Sequence, residues 1–548
     1  MFPGSVPRAS GSSPAYDRAC GRNGNALNPG TAIADRLQRL YALQWAPWAI
    51  VLGLALLLRL PGLVDRPLWY DEAFAVLFSA KGLPSMVEGT LRAQAGVAAD
   101  VHPLLYYTLL GIWGKVFGTS VAAVRSLSLG LGLGVVALGY ALGRRSLGRR
   151  AGLVGGILLA VSPFQIHYAQ EVRMYGLLAG LLLGATWAHW EARSGAGVGA
   201  WAAFAVLSAA AQYTHNLAAF YLIALALLPW LERRWRLAVQ TLAAGLVAAA
   251  LYLPWLLYLP SQVARLRWAY WIERPTAADL VRTLITFLAD RPLPNWPTWA
   301  IPLVLFCALL VWATLAWTLT RLPGESASRG EARRFALLAV APIALLFAAS
   351  FLQPLYLDRA LLPSAAAFSL ALGWLLTEAR SPRAARGMMG VSLLVASAVG
   401  LVGFFSYRGF PHAPFEVLND RLRAGMIPGE VIVHSNKISA LPAEYYGPEL
   451  EHRYLADPAG SPSDTLAIPT QQVLGMVADR DIESAAAGAA GVWFVQFRQE
   501  QEDYADLGFS APPALTWLEE NLVLESRTEL GDLLLYHFLT PGEPAPNG

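Results

Sequence analysis

The 548-residue chain is 55% hydrophobic but only 14% charged, with a formal net charge of +3. A soluble protein carries roughly a quarter charged residues, so this composition excludes a string of soluble domains, whose surfaces it could not cover. Runs of about twenty apolar residues recur from residue 46 to residue 405, each long enough to cross a bilayer. The chain therefore reads as an α-helical polytopic membrane protein. No basic patch lies outside short loops, which excludes nucleic acid as a partner. Cys20 sits in a polar stretch and Cys307 in an apolar run, so no stabilising disulfide is expected.

Residues 1–43 are rich in Gly, Ser, Pro and Asn, lack periodicity and read as a disordered cytoplasmic tail. No cleavable signal peptide is expected, because the first apolar run starts too far in and is too long. Residues 44–405 read as a transmembrane catalytic domain whose first span lies near 46–63. Basic loops follow at GRRSLGRR (143–150), EARSG (191–195), ERRWR (232–236), 321–334 and EARSPRAARG (378–387). The positive-inside rule assigns all of them to the cytoplasm. Two apolar runs separate each neighbouring pair, joined by outer turns at HYAQEVR (167–173), YTHN (213–216), 259–297 and QPLYLDR (353–359). One segment, HPLLYYTLLGIWGKVFG (102–118), breaks the alternation. Its length and its central Lys115 suit an interfacial or re-entrant helix rather than a span. The alternation then predicts about eleven spans of bilayer-crossing length, with the N-terminus inside and the C-terminus outside.

Residues 406–548 change character. Short β-rich runs, EVIVHS (430–435), VWFVQF (492–497) and LLLYHF (533–538), alternate with helical patterns at 415–425 and 514–522. This predicts a small extracytoplasmic α/β domain.

Ionisable residues near a membrane are expensive and tend to mark function. In this topology Asp71, Glu72, Asp100, His102, Arg125, His167, Glu171, Arg173, His215, Asp358 and Arg359 all fall at the outer interface. Asp71 and Glu72 are adjacent acids in LWYDEAFAV (68–76), where a carboxylate can take a proton from a hydroxyl or hold a metal. Asp100 and His102 add a pair able to share a divalent ion. In HYAQEVRMY (167–175), Glu171, Arg173 and Tyr175 open a span. Arg173 can bind a phosphate through its planar fork, pair with Glu171, or anchor at the interface. Asp358 and Arg359 repeat that logic. Arg265, Arg267, Trp268, Tyr270, Trp271 and Arg274 mix arginine with aromatics, which suits either a sugar and lipid phosphate or an ordinary aromatic belt. His215 is a weaker candidate, and His189 reads as structural.

Taken in order, the set Asp-Glu, DVHPLLYY, VRSLSLGLG, GRRSLGRR, SPFQIHYAQEVRMY and YLDRALLP resembles the GT-C superfamily of integral-membrane glycosyltransferases. It is most similar to the protein O-mannosyltransferase and aminoarabinose transferase group (glycosyltransferase family 39-like), with bacterial relatives resembling rhizobial galacturonosyl transferases. The resemblance covers roughly 45–405. It implies an inverting transfer of a hexosyl or pentosyl group at the outer face of the cytoplasmic membrane. The donor is a polyprenyl-phosphate sugar and the acceptor a hydroxyl of a glycolipid, polysaccharide or protein. By resemblance Asp71 is the general base and Glu72 its acidic neighbour. His102 lies near the metal or donor phosphate, and Arg359 meets that phosphate. A divalent ion is allowed and no nucleotide cofactor is implied. Some relatives carry an acid after the Arg-Met of the second outer segment, where this chain has Tyr175. The competing reading is a transporter or flippase for a lipid-linked sugar. Such a protein favours mid-membrane charge and Gly/Pro-broken repeats, whereas charge here gathers at one interface.

Overall fold

The computed structural model describes residues 45–92, 100–266, 271–321, 326–459, 461, 463–506 and 511–541. The tail expected over 1–43, Cys20, and Arg267, Trp268 and Tyr270 of the aromatic loop lie outside the described residues. By its contacts the chain divides into residues 1–49 and 50–548. Only the opening of helix α1 (Ala46–Arg59) is described in the first unit, and the region 406–548 stays within the second.

After α1 come a short pair, α2 (Tyr70–Ala80) and α3 (Leu83–Leu91), and then α4 (Leu105–Phe117). Next are α5 (Val121–Leu147), α6 (Arg149–Val161), α7 (Pro163–Gln170), α8 (Tyr175–Arg193), α9 (Val198–Thr214), α10 (Ala218–Leu231) and α11 (Trp235–Leu256). The stretch 259–297, expected as a loop, holds α12 (Leu259–Arg265) and α13 (Ala277–Ala289). The helical part ends with α14 (Ala300–Arg321), α15 (Ala327–Ala349), α16 (Leu362–Thr377) and α17 (Arg383–Ser406). Among the described residues six helices are long and apolar enough to cross a membrane, or seven if the bent pair α6–α7 is one span. The protein is thus a multi-pass membrane protein, with fewer spans by this measure than the alternation predicts. The shortfall has physical causes. Helices α1 and α10 are apolar but have only 14 residues each, about 21 Å at 1.5 Å per residue. Helix α8 carries His189, Glu191 and Arg193 in its last turns. Helix α4, at 13 residues, buries Tyr106, Tyr107 and Leu110 and exposes Ile112, Val116 and Phe117, as an interfacial helix would.

Two packing devices position the site. Pro163 has no N–H to continue α6, and the chain bends by 55° between α6 and α7. The carbonyls freed at that bend are taken by fully buried Arg59, which donates to Ala160 O at 2.7 Å and Leu159 O at 3.3 Å. This turn carries His167, Glu171 and Arg173 toward one end of the bundle. Where α16 crosses α6, a Cβ on Gly373 would lie 2.5 Å from both Ala151 O and Gly155 N. Small residues permit this backbone approach, which drives helix association in lipid where burial of apolar surface gains little.

Charges separate to the two ends. Arg145 pairs with Glu191 at 2.8 Å, Arg193 and Arg334 with Glu331, and Arg334 with Glu232. Four of the basic loops thereby meet at one end. The acidic and aromatic turns gather elsewhere, as described below.

Beyond the helices lie α18 (Phe415–Gly425), β1 (Glu430–His434), α19 (Lys437–Tyr446), β2 (His452–Tyr454), α20 (Ile468–Leu474) and α21 (Ile482–Ala486). They are followed by β3 (Gly491–Phe497), α22 (Arg498–Asp506), α23 (Pro513–Asn521), β4 (Val523–Leu530) and β5 (Leu533–Leu539). The sheet order is β2-β1-β3-β5-β4. Strand β1 runs parallel to β2 and β3, and β5 antiparallel to β3 and β4. Both faces are covered: Phe415, Leu418 and Trp493 pack on one, Leu515, Leu518 and Phe494 on the other. Strands β2 and β4 were not expected. The first has three residues, and the second is an exposed edge carrying Glu525, Arg527 and Glu529. The sheet region rests on the segment after α1. Leu68 N donates to Tyr446 Oη at 2.9 Å, His412 Nδ1 to Pro67 O at 3.0 Å, and Thr470 Oγ1 to Gly89 O at 3.1 Å.

Candidate active site

Asp71 and Glu72 occupy the first turn of α2, where acids favour a helix start. Neighbours on a helix point about 100° apart, and these two carboxylates have different surroundings. Glu72 is fully buried. Its oxygens accept from Arg125 Nε at 3.0 Å and Nη2 at 2.7 Å, and Oε1 also accepts from Val172 N at 2.9 Å. Arg125 in turn donates to Leu63 O at 2.9 Å and Arg66 O at 2.7 Å. Burial works against the Glu72 charge, but Arg125 holds the carboxyl below the usual range. Glu72 thus spends its acceptors tying α2 and the segment before it to α5 and to Val172. Adjacent to Asp71 in the chain, it faces Arg125.

The Asp71 side chain is 18% exposed and meets two cations. Its Oδ2 lies 3.4 Å from Arg173 Nη2 and 3.5 Å from Arg359 Nη1. Both distances exceed the 2.7–2.9 Å of a tight charge-assisted bond, so the carboxylate is held loosely between them. Arg173 also donates to Asp71 O at 3.3 Å. The Nε atoms of Arg173 and Arg359 are buried and have no partner among the described residues. Burial opposes the Arg173 charge, yet Asp71 keeps it above its ordinary range. Arg359 projects over the rings of Tyr175, at 5.5 Å, and Trp271, at 5.3 Å, within reach of cation–π attraction.

From Tyr175 the cluster continues through rings. Tyr175 and His215 lie 5.8 Å apart, and His215 and His102 5.9 Å. His102 Nδ1 is 3.2 Å from Asp100 Oδ1. Burial, with His102 next, depresses His215 well below its ordinary range, and its Nε2 has no partner among the described residues. Asp100 and His102 remain the metal candidates, but among the described residues no group of three or more His, Cys, Asp or Glu could hold an ion.

Glu171 does not pair with Arg173. Its Oε1 accepts from Trp69 Nε1 at 3.2 Å, and Oε2 lies 3.6 Å from His167 Nε2. His167 Nδ1 is 2.6 Å from Asp290 Oδ2. Burial raises the Glu171 carboxyl. Burial pushes on Asp290 too, but His167 and Arg291 hold it below the usual range. Asp290 is the residue the motifs do not flag. Its only local sign is an Asp just past α13 at φ 67°, where glycine is the ordinary choice. Arg291 donates to Tyr168 Oη at 2.9 Å and lies 3.9 Å from Asp358. Asp358 accepts from Arg359 N at 2.7 Å and so fixes the turn that presents Arg359. Elsewhere, His189 meets Thr241 Oγ1 at 3.0 Å on the side of the basic loops, a structural contact.

With this geometry in view, the comparisons with known proteins are specific. A family model described as dolichyl-phosphate-mannose-protein mannosyltransferase matches residues 101–258. The crystal structure of ArnT from Cupriavidus metallidurans in the apo state aligns over 92% of this chain and 98% of its own, at TM-score 0.58 and 12% identity. The chain shares the fold of this ArnT. ArnT bound to undecaprenyl phosphate aligns over 90% of this chain and 98% of its own, at TM-score 0.57 and 12% identity. The Archaeoglobus fulgidus oligosaccharyltransferase in complex with Zn and sulfate aligns at TM-score 0.47 and 12% identity, over 90% of this chain and 73% of its own. A comparison with curated proteins finds no match. The matched segment 101–258 contains His102, Glu171, Arg173 and Tyr175, while Asp71 and Arg359 lie outside it.

Proposed function

We propose that the protein is an inverting glycosyltransferase that moves a sugar from a polyprenyl-phosphate donor to an acceptor hydroxyl at the outer face of the cytoplasmic membrane. The observation that carries this reading is the loose Asp71 carboxylate between two arginines whose buried Nε donors are unpartnered among the described residues. Undecaprenyl phosphate bound to ArnT, which has the same fold, supports a lipid-phosphate donor for this chain. Arg173 and Arg359 bind the donor phosphate in place of Asp71. The phosphate's negative charge then satisfies the arginines, and Asp71 is released to act as a base. It takes the proton of the acceptor hydroxyl as the oxygen bonds to the anomeric carbon from the face opposite the phosphate. The bond from that carbon to the phosphate oxygen breaks, and the electron pair leaves with the phosphate. Fixed cations stabilise this developing charge, and a positioned base contributes about 10²–10⁴-fold.

Tyr175 and Trp271 hold the Arg359 guanidinium from its faces, and His102 and Tyr175 line the route toward the donor. Glu72 is a positioning residue that fixes the turn bearing Asp71. Glu171, tied to His167, orients Trp69 at the start of that turn. A divalent ion finds two donors in Asp100 and His102, already bonded to each other, and no step is assigned to it. Sugar and acceptor follow from substrate trials. Purified protein supplied with a labelled polyprenyl-phosphate sugar and cell-envelope acceptors should transfer label. Arg359→Ala should raise the donor KM or lower kcat by about 10²–10³-fold, the usual loss for one oxyanion donor. Arg359→Lys should restore part of it, because a point charge cannot reproduce a planar fork. Unchanged transfer in folded Arg359→Ala protein would remove this arginine from the site.

A further inference from the structure

The sheet of residues 430–539 has a feature that the transfer reaction does not use. In open sheets, ligands bind outside the carboxyl ends of parallel strands, at the point where strand order reverses. Strands β2, β1 and β3 are parallel and in that order, so the chain leaves β1 to one side and returns on the other. The carboxyl ends of β1 and β3 meet at Ser435, Asn436 and Glu500. This crevice is filled from within: Glu500 accepts from Ser435 Oγ at 2.6 Å and Asn436 Nδ2 at 3.1 Å. Open volume lies one strand over, beyond β1 and β2. There a cavity of about 210 Å³ is lined by Lys437, Tyr454, Asp457 and Gln471, with Ala456 and Ala478 among its apolar walls.

The lining has a definite chemistry. Lys437 is 4% exposed and bonds Asp457 and the carbonyl of Ser463. One cation and two acids, Asp457 and Asp464, thus face one small space beside a tyrosine ring. A phosphate would be repelled by Asp457, and an acyl chain would leave these charges buried without water. Neutral hydroxyls can donate to Asp457 and accept from Lys437. The volume is below the 300–1,000 Å³ common for ligand pockets and suits one ring rather than a chain. The wall of the cavity also packs on α3, the helix that follows α2 and its Asp71. Helix α20, which supplies Ile468 and Gln471 to its wall, packs on α3, where Thr470 meets Gly89 O at 3.1 Å. Desolvation pushes the Tyr70 phenol, next to Asp71, well above its ordinary range, and the charges of Asp71, Asp100 and Asp457 act in the same direction.

We propose that the cavity at the carboxyl ends of β1 and β2, lined by Lys437, Tyr454 and Asp457, binds a neutral sugar ring of the acceptor and delivers its hydroxyl toward Asp71. This rests on the transferase reading for its direction but not for its binding event. The test uses the full-length protein in detergent, with methyl α-glycosides of glucose, mannose and galactose as probes in saturation-transfer NMR. At least one glycoside should bind the wild type, and Asp71→Asn should bind it equally. Asp457→Asn removes the charge and keeps the shape. Ala478→Phe fills the cavity from a half-buried wall. Each should weaken binding by roughly tenfold or more, about 1.4 kcal/mol, with the thermal transition of each variant confirming that it is folded. In transfer assays both should raise the acceptor KM and leave the donor KM alone. Equal glycoside binding in wild type and both folded variants, or binding to none of them, would overturn the proposal. Glycoside binding that the variants lose, without any transfer by the wild type, would uphold the cavity and refute the transferase reading.

Discussion

The two ends of the helical bundle solve the same electrostatic problem in opposite ways. At the arginine-rich end, Arg145, Arg193 and Arg334 pair with Glu191, Glu331 and Glu232, each cation meeting at least one acid. At the other end, buried Arg173 and half-buried Arg359 share one loosely held carboxylate and keep buried Nε donors that are unpartnered among the described residues. The first arrangement is finished, while the second is under-neutralised, which is what a binding site for an anion requires. Charge at a membrane surface therefore points to function only where pairing is incomplete.

The contrast sharpens within the site end itself. Glu72 and Asp71 are adjacent, yet only Glu72 makes a closed two-toothed pair. Glu72→Ala strands the Arg125 charge, and breaking such a buried pair costs about 3–5 kcal/mol. A large fall in the thermal transition of detergent-solubilised protein is expected, with activity lost through instability. A stable Glu72→Ala protein lacking transfer would instead move Glu72 into the chemistry.

Burial without a cation gives an intermediate effect, seen at Glu500. Burial pushes its carboxyl from the ordinary 4.5 up to about 7. The folded state then holds a proton that the unfolded chain releases. This contribution is complete below about pH 4.5 and is lost as pH rises through about 7, because stability falls where the native state binds more protons. Unfolding monitored from pH 5 to pH 8 should show this decline, and Glu500→Gln should flatten it. A pH profile identical in wild type and Glu500→Gln would place the titration elsewhere.

The smallest effect belongs to the finished end. Glu191→Gln removes a pair whose side chains are 26% and 47% exposed, and such pairs are worth at most about 1 kcal/mol. Its melting should barely move and should lose what salt dependence the pair supplied. A loss as large as that of Glu72→Ala would erase the distinction between the two ends.

Much of this contrast is legible in the chain before any coordinates. Apolar runs and arginine punctuation locate the helices and their shared basic end, because both follow local composition. The motifs name Asp71, Arg173 and Arg359, and the fold brings them within 3.5 Å. What stays hidden depends on tertiary partners. Glu72 and Asp71 look equivalent until Arg125 arrives from α5. Asp290 carries no motif and gains meaning only when α7 turns His167 onto it. Helices within 259–297 escape notice because tryptophans, prolines and arginines interrupt the apolar pattern. Strand β2 is too short to show an alternation.

The central claim, that the loosely held acid is the one that works, is tested most directly by Asp71→Asn. The substitution keeps size and polarity, removes the proton acceptor, and leaves Glu72 with Arg125. Label transfer from a polyprenyl-phosphate sugar by purified protein should fall by about two to four orders of magnitude, with expression and thermal stability near wild type. Wild-type rates in Asp71→Asn would contradict the assignment of Asp71 as the base.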